Sequence, residues 1–251
     1  MTDNVVRILK GLAMLFMFGT FLIGIFVFLL GILPLSWALD RLAGEKPRVE
    51  RAARAGFGWW LGFMGVLGLV RSDPLRGAVF PGPCVVVANH PGLFDVLFLI
   101  RDIPSLSVLV KASLVRKLPL GPVLRALEYV LVPDHDRVYP LDTAEKTLEK
   151  IQKGRKVLLF PEGTRSPSGA LRPFRIGAFK IARMTGAPIQ PVILRNTPPF
   201  LPKEEPWYLP PRPVSRLSME FWEPLPPPAK GEERAFARRL EQRYREALGL
   251  A

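Results

Sequence analysis

Long apolar runs fill the first part of the chain, and shorter apolar runs separated by polar segments fill the rest. Between Lys10 and Asp40 lie 29 consecutive uncharged residues, nearly all of them apolar. As a helix this run would be about 43 Å long, more than the ~30 Å hydrocarbon core of a bilayer. A second uncharged run, residues 55–70, has 16 residues and is short for a membrane span. We therefore predict a two-helix membrane-anchoring module in residues 1–71.

The orientation of this module follows from the basic residues around the first run, if that run spans the bilayer. Arg7 and Lys10 precede the run, and a larger number of basic residues follow it. The following ones are Arg41, Lys46, Arg48, Arg51 and Arg54. Because basic residues favour the cytoplasmic side, the C-terminal side of a spanning helix would face the cytoplasm. Gly24, Gly31 and Pro34 could instead bend the run into a re-entrant element, and both arrangements stay open.

After residue 79 the pattern changes to short apolar runs that alternate with amphipathic segments. The short runs predict strands near residues 84–89, 107–111, 129–132, 156–160, 189–194 and 216–222. The amphipathic segments predict helices near residues 93–101, 119–127, 141–153, 175–185 and 232–247. Such alternation is typical of an α/β fold, in which helices cover a mostly parallel sheet. We predict this domain in residues 72–251, with its site at the carboxyl edge of the sheet.

A histidine and a carboxylate follow the first of these strands. Residues 85–87 are three valines suited to a sheet that is covered on both faces, and His90 and Asp95 come next. Residues five apart on a regular helix point about 140° apart, so these side chains meet only if the intervening segment is not helical. The Pro-Gly pair at residues 91–92 supplies that break. The pair then resembles a general base, but a histidine beside an ordinary first-turn acid explains the same residues equally well.

Composition narrows the class of partner. The chain is 49% hydrophobic and carries a formal net charge of +13, which together suit a membrane surface with anionic head groups. Nucleic acid is the competing explanation of the charge, but the sequence has no helix-turn-helix, zinc-finger or RNP pattern. Two histidines without clustered ligands predict no metal site, and the single cysteine, Cys84, excludes an intrachain disulfide. We therefore expect lipid rather than nucleic acid as the partner.

A second motif decides between the two interpretations of His90. Residues 160–166 read F-P-E-G-T-R-S and follow another apolar strand. Residues 89–95 fit the pattern N-H-x4-D, and residues 188–192, P-I-Q-P-V, form a strand with two prolines. In their order along the chain, the three blocks resemble those of the glycerolipid acyltransferase family, whose type member is 1-acylglycerol-3-phosphate acyltransferase. The resemblance covers roughly residues 80–195.

The resemblance implies roles for several residues. It makes His90 the catalytic base and Asp95 its orienting partner, in a dyad without a serine nucleophile. The hydroxyl of the lipid acceptor would then attack directly, so no covalent acyl-enzyme is expected. The residues that the resemblance places in the substrate-binding site are Glu162, Gly163, Thr164, Arg165 and Lys111. Arg165 has the chemistry to bind phosphate bidentately, and Glu162 could hold glycerol or brace the loop.

One block departs from the family pattern. The family's second block ends in an arginine directly after a strand, and that arginine contacts the acceptor phosphate. Here the strand at residues 129–132 is followed by P-D-H-D-R. Aligned without a gap, an acid takes the arginine's place, whereas a short insertion would make Arg137 the phosphate contact. The lysine of the family's F-K-x-G-A run is Arg175 here, so the identity of the acceptor stays open.

The resemblance implies transfer of a fatty acyl group from acyl-CoA or acyl carrier protein to the free hydroxyl of a lysophospholipid. The first candidate acceptor is 1-acylglycerol-3-phosphate, which would give phosphatidic acid. The alternatives are an O-acyltransferase for another lysolipid or an amino-lipid, and a non-catalytic lipid-binding protein of the same fold. We expect a protein of the inner (cytoplasmic) membrane whose catalytic domain faces the cytoplasm, with no cofactor besides the thioester co-substrate.

Overall fold

The computed structural model describes residues 2–43, 48–113, 121–133, 141–167, 169–201, 206, 208 and 213–250. The helices are α1 (Thr2–Val27), α2 (Leu33–Ala43), α3 (Arg48–Val66), α4 (Asp95–Asp102), α5 (Gly121–Ala126), α6 (Leu141–Gln152), α7 (Gly177–Thr185) and α8 (Glu233–Leu248). A π-helical turn, Phe28–Ile32, joins α1 to α2. The five helices predicted after residue 79 are all present, and their ends lie within two residues of the predicted ends.

In the described part of the chain, seven strands form one sheet. The strands are β1 (Val70–Ser72), β2 (Val85–Ala88), β3 (Leu106–Lys111), β4 (Val130–Val132), β5 (Lys156–Leu159), β6 (Ile189–Thr197) and β7 (Ser215–Phe221). Their order is β1-β7-β6-β2-β5-β3-β4, and all neighbours pair in parallel except β6 and β7. The predicted helix-covered, mostly parallel sheet is therefore confirmed. The edge strand β1 was not predicted, because it begins at the last residue of the second uncharged run and continues into polar residues.

The sheet separates two layers of helices. On one face, Val86 and Ala88 of the central strand β2 pack in a core with side chains of α1, α3 and α4. On the other face, Val85 and Val87 pack with side chains of α6, α7 and α8. Burial on both faces explains the unbroken valine run. Tyr244 fixes α8 to this second face by donating its hydroxyl proton to the carbonyl of Val87 (2.8 Å).

The first apolar run is a long helix with one π-helical turn in it. By length and composition the segment Ile8–Leu39 could cross a membrane, and only 11% of its most apolar stretch is buried in the protein. Pro34 has no N–H, and its ring would clash with the carbonyl four residues earlier in a regular helix. The wider turn just before it, closed by a hydrogen bond from Leu33 N to Phe28 O, relieves that clash. The predicted apolar N-terminal helix is confirmed.

The second helix of the predicted membrane module is not confirmed as a membrane element. It corresponds to α3, which packs against α4, and its buried residues are Val49, Ala53, Trp60, Leu61 and Met64. Glu50 of α3 accepts a hydrogen bond from Ser105 N (2.5 Å) and pairs with Arg155 (3.1 Å). These contacts tie α3 to the amino ends of β3 and β5. The boundary between residues 71 and 72 stays a prediction.

Aromatic side chains connect the N-terminal helices to the turn that precedes α4. The ring of Phe94 lies 5.1 Å from Trp60 of α3 and 5.9 Å from Phe200, measured between ring centroids. Phe21 of α1 lies 6.1 Å from the same ring. Aromatic pairs at such distances attract each other. Because Phe94 directly precedes Asp95, packing of α1 and α3 helps to fix the start of α4.

Candidate active site

The loops after β2 and β5 meet at the carboxyl edge of the sheet. β2 ends at Ala88 and leads to His90, whereas β5 ends at Leu159 and leads into residues 160–166. The two strands are parallel neighbours, so both loops leave from the same edge. A backbone hydrogen bond from Ser166 N to His90 O (2.9 Å) joins the two loops. The N-H-x4-D block at residues 89–95 and the F-P-E-G-T-R-S motif at residues 160–166 therefore form one cluster.

His90 and Asp95 are in hydrogen-bond contact, with Nδ1 and Oδ2 3.0 Å apart. Helix α4 begins at Asp95, so residues 91–94 lie outside it, as the contact requires. The N–H of Gly92 donates to the same Oδ2 (2.6 Å). Because a carboxylate only accepts hydrogen bonds, Asp95 favours the tautomer with the proton on Nδ1. Nε2 is then left with a free lone pair.

The turn around Gly92 has no room for a side chain. A Cβ at this position would lie 2.6 Å from the carbonyl oxygen of Phe200 and 2.8 Å from Nδ2 of Asn196. Asp95 is only 1% exposed, and its Oδ1 has no hydrogen-bond partner in the part of the chain that the structure describes. Close packing of the turn therefore directs the carboxylate towards the imidazole and the Gly92 N–H.

The imidazole of His90 lies flat against Phe160, the first residue of the second motif. The ring centroids are 4.1 Å apart and the ring planes differ by 17°. The His90 side chain is 17% exposed, and no described residue bonds to its Nε2. Stacking on Phe160 fixes the plane of the imidazole ring at the sheet edge. A base held in one orientation suits proton transfer to and from a bound substrate.

Glu162 braces the two loops from inside, where its side chain is 1% exposed. Its Oε1 accepts a hydrogen bond from His90 N (2.8 Å). Its Oε2 accepts hydrogen bonds from Arg172 N (3.0 Å) and from the Ser166 hydroxyl. Burial raises the pKa of the Glu162 carboxyl, and the hydrogen bonds from the backbone of His90 and Arg172 oppose that shift. Of the two predicted functions, these contacts favour bracing the loop over holding glycerol.

Gly163, Thr164 and Arg165 of the second motif are partly accessible. Gly163 has a φ of +71°, a backbone conformation that favours glycine, and a Cβ there would lie 3.1 Å from the guanidinium of Arg175. Thr164 and Arg165 are half-buried. Nη1 of Arg165 donates to the carbonyl of Leu201 (3.0 Å). That contact fixes the direction of the side chain and uses one of the guanidinium nitrogens.

One predicted substrate-binding residue, Lys111, lies apart from this cluster. Lys111 is exposed at the end of β3, on the same sheet edge as His90. Because β5 lies between β3 and β2, the backbone of Lys111 is about 10 Å away from that of β2, which is two strand spacings. Arg137 lies outside the described residues, so its position relative to the site stays a prediction.

Two polar residues that hold the site together were not predicted to do so. Besides its contact with Glu162, Arg172 donates from Nε to the carbonyl of Arg165 (3.1 Å). The side chain of Asn89 exchanges two hydrogen bonds with the backbone of Leu194 in β6 (2.7 and 2.8 Å), which fixes the end of β2. Arg172 belongs to no sequence block and gave no signal. Asn89 lies directly after a strand in the first block, which was a usable signal.

The described strands β2 to β5 and both motif loops lie in the part of the chain that matches a protein-family model. Residues 74–195 match the family model described as Acyltransferase. The predicted resemblance to the glycerolipid acyltransferases is therefore confirmed for this part of the chain.

Two acyltransferases, one from a plant and one from humans, are similar to part of this chain. The chloroplastic 1-acyl-sn-glycerol-3-phosphate acyltransferase BAT2 of Brassica napus is 34% identical over 120 residues, which are 48% of this chain and 35% of BAT2. The human lysophospholipid acyltransferase LPCAT4 is 30% identical over 186 residues, which are 68% of this chain and 34% of LPCAT4. The chain thus spans about a third of the length of these relatives.

One solved structure matches nearly the whole chain. The crystal structure of the 1-acyl-sn-glycerophosphate (LPA) acyltransferase PlsC from Thermotoga maritima covers 99% of this chain, and the match covers 98% of that protein. The TM-score is 0.74 at 22% sequence identity. The two chains therefore have the same fold.

Proposed function

We propose that the protein transfers a fatty acyl group from an acyl thioester to the free hydroxyl of a lysophospholipid, with 1-acylglycerol-3-phosphate as the acceptor. The observation that carries this proposal is the 3.0 Å contact between His90 Nδ1 and the buried carboxylate of Asp95. With this contact on Nδ1, the imidazole of His90 stays partly exposed at the sheet edge, where ligands bind in open α/β sheets. The name of the relative BAT2 supports the choice of acceptor.

In the proposed reaction, Nε2 of His90 takes the proton of the acceptor hydroxyl while the hydroxyl oxygen attacks the thioester carbonyl carbon. The resulting tetrahedral intermediate collapses, and the carbon–sulfur bond breaks. The departing thiolate takes the proton from the imidazolium, so His90 returns to its neutral form. Asp95 stabilises the imidazolium that exists between the two proton transfers.

The transfer is proposed to be direct, because the described residues offer no activated nucleophile beside His90. The Ser166 hydroxyl donates to Glu162 rather than to the imidazole. Cys84 is fully buried at the start of β2, and burial raises the pKa of its thiol to about 12. Its reactive thiolate form is therefore scarce at neutral pH.

A second acceptor class is favoured by one observation. The match to LPCAT4 extends over 186 residues, compared with 120 residues for BAT2. A lysophospholipid other than 1-acylglycerol-3-phosphate is therefore the second candidate acceptor.

We also propose that the protein works at a membrane and takes its acyl group from acyl-CoA or acyl carrier protein. The helical segment Ile8–Leu39 exposes many large apolar side chains, among them Leu12, Phe16, Ile23 and Leu30. Burying these side chains in lipid would remove them from water and keep the site close to its acceptor. The proposed location is the inner membrane, with the catalytic domain in the cytoplasm.

An acceptor panel tests the proposed function. The protein in detergent micelles is given labelled acyl-CoA or acyl carrier protein with 1-acylglycerol-3-phosphate, other lysophospholipids or an amino-lipid. We expect phosphatidic acid as the main product. Transfer to another acceptor alone would replace the substrate assignment. Lipid binding without transfer to any acceptor would contradict the enzymatic function and support a lipid-binding protein.

We expect Arg165→Ala to raise the acceptor KM and to lower kcat/KM steeply. A charge-assisted contact to phosphate contributes about 1.5–3 kcal/mol, which is roughly one to two decades. Steady-state kinetics on 1-acylglycerol-3-phosphate and on a lysolipid without a terminal phosphate measure the effect. Wild-type kinetics on the phosphate acceptor would show that Arg165 does not bind it.

Arg137→Ala is the matched comparison, and we expect it to be nearly silent. Two acids close to Arg137 in sequence suggest an exposed turn, and exposed charges contribute little. The same two acceptors are used. A loss confined to the phosphate acceptor would instead identify Arg137 as a phosphate contact displaced by a loop insertion.

A further inference from the structure

A basic groove lies beside the candidate active site and is not used by the proposed mechanism. It runs between residues 173–176, just before α7, and the first half of α8, and its volume is about 620 Å³. Three arginines line it, Arg175, Arg234 and Arg238, and Phe174 contributes an apolar wall. Sites for small molecules and cofactors usually have volumes of about 300–1,000 Å³. The groove is therefore large enough for a nucleotide-sized ligand.

The positive charge of the groove is not neutralised by the protein. Arg175, Arg234 and Arg238 are exposed, and none of them pairs with an acidic side chain in the described part of the chain. The one acid in the lining, Glu241, accepts two hydrogen bonds from Arg245 (2.9 and 3.0 Å) and one from Phe174 N (2.9 Å). Its charge is therefore engaged elsewhere, and the three arginines are free to bind an anion.

The spacing of Arg234 and Arg238 also favours an anion site. Arg234 and Arg238 are four residues apart on α8, so they lie on the same face of the helix. Like charges at this spacing repel each other and destabilise a helix slightly. A bound phosphate would offset the repulsion, because each guanidinium can donate two parallel hydrogen bonds to it.

The groove opens directly beside the second motif. The guanidinium of Arg175 lies against Gly163, and Arg175 N donates to the carbonyl of Pro161 (2.8 Å). Glu162, which lies between Pro161 and Gly163 in the sequence, accepts a hydrogen bond from His90 N. A ligand in the groove would therefore have one end next to the loop that supports the proposed base.

The groove faces away from the apolar N-terminal helix. α7 and α8 pack on the sheet face that carries Val85 and Val87, whereas α1 packs on the face that carries Val86 and Ala88. If α1 lies in the bilayer, the sheet stands between the bilayer and the groove. An anion that binds there would come from the water phase rather than from lipid head groups.

We propose that this groove binds the phosphate-bearing handle of the acyl-thioester donor, an inference that rests on the proposed function. In acyl-CoA the handle is the nucleotide, and in acyl carrier protein it is the phosphopantetheine with the acidic surface around it. Both are polyanions joined to the thioester by a long flexible arm. The groove holds the anion, and the arm reaches past Gly163 so that the thioester lies beside His90.

The test compares donors with and without phosphate in the double variant Arg234→Ala/Arg238→Ala. The donors are acyl-CoA, acyl carrier protein and the N-acetylcysteamine thioester of the same fatty acid. For the phosphate-bearing donors we expect the KM to rise roughly tenfold, the loss typical of removing partly exposed charge-assisted contacts. We expect no change with the N-acetylcysteamine thioester. Loss with acyl-CoA alone or with the carrier protein alone supports the groove and identifies the source of the handle.

Arg239→Ala is the matched control, because Arg239 is exposed on the same helix and does not line the groove. It should leave the KM for every donor unchanged. Equal loss with the phosphate-free thioester, or no loss with any donor, overturns the proposal. The proposal is also overturned if the double variant keeps its donor kinetics and loses only its binding to phosphatidylglycerol vesicles. That result would assign the groove to lipid binding.

Calorimetry with adenosine 3′,5′-bisphosphate separates this proposal from the proposed function. Wild-type protein that uses none of the three donors would contradict the function. Binding of the bisphosphate that the double substitution weakens would still support an anion site in the groove. Absence of binding to the wild type in that case would overturn the groove proposal as well.

Discussion

His90→Ala is expected to abolish acyl transfer while the protein stays folded and bound to membranes. A positioned general base contributes about 10²–10⁴-fold to rate, and the proposed mechanism assigns this role to no other residue. The imidazole packs on Phe160 and is partly exposed, so its removal leaves the core intact. Transfer to 1-acylglycerol-3-phosphate and the thermal unfolding midpoint are measured on the same preparation.

Asp95→Asn is the companion variant, and it should cost less than His90→Ala. The amide keeps the size of the carboxylate but stabilises the imidazolium less well. Nδ1 of His90 and the N–H of Gly92 both use Oδ2, so the amide oxygen can still accept from them. An alanine variant with near wild-type activity, or an asparagine variant that is the more damaged of the two, would contradict the assigned roles.

Glu162→Gln is expected to lower both activity and stability although it changes only one atom. His90 N and Arg172 N donate to different oxygens of the carboxylate, and both can only donate. Whichever way the amide of glutamine is turned, its NH₂ therefore faces a backbone N–H. We expect the free energy of unfolding to fall by about 1–3 kcal/mol, as for a buried polar group that loses its partner. We expect kcat to fall about 10²-fold because His90 is displaced.

Ser166→Ala is the matched control for Glu162. It removes one hydroxyl donor to Oε2 but leaves the two backbone donors in place, so its losses should be clearly smaller. Denaturant unfolding and kinetics on the same samples compare the two variants. If Glu162→Gln keeps wild-type stability and raises only the acceptor KM, then Glu162 holds the substrate and does not brace the loops.

The sheet edge that carries the site could be predicted because its signals are local. The valine run at residues 85–87 fits a strand buried on both faces, and the Pro-Gly pair after His90 predicts the break that lets Asp95 reach it. The bracing contacts could not be predicted in the same way. They join Glu162 to Arg172, ten residues later in an irregular segment, and to the backbone of the preceding motif. Such contacts exist only in the folded chain.

The N-terminal part shows where hydrophobicity alone does not define the environment of a helix. The first apolar run is long enough that its composition identifies an exposed apolar helix. The second run is shorter, and its apolar residues are equally suited to packing in a protein core and to contact with a bilayer. Two polar side chains at the start of α3 tie this helix to the catalytic half, because Glu50 pairs with Arg155 and Arg54 donates to the carbonyl of Arg101 (3.0 Å). Neither partner can be identified from the sequence. Contact of the apolar part of α3 with a bilayer stays a prediction.

The central claim is that the acyl group passes directly from the thioester to the acceptor hydroxyl, with His90 as the base. A rapid-quench single turnover, with protein in excess over acyl thioester, tests it most directly when thiol release and intact protein mass are followed with and without acceptor. We predict thiol release only when the acceptor is present, and no change in protein mass at any time. A stoichiometric burst of thiol without acceptor, with the acyl group attached to the protein, would contradict the claim.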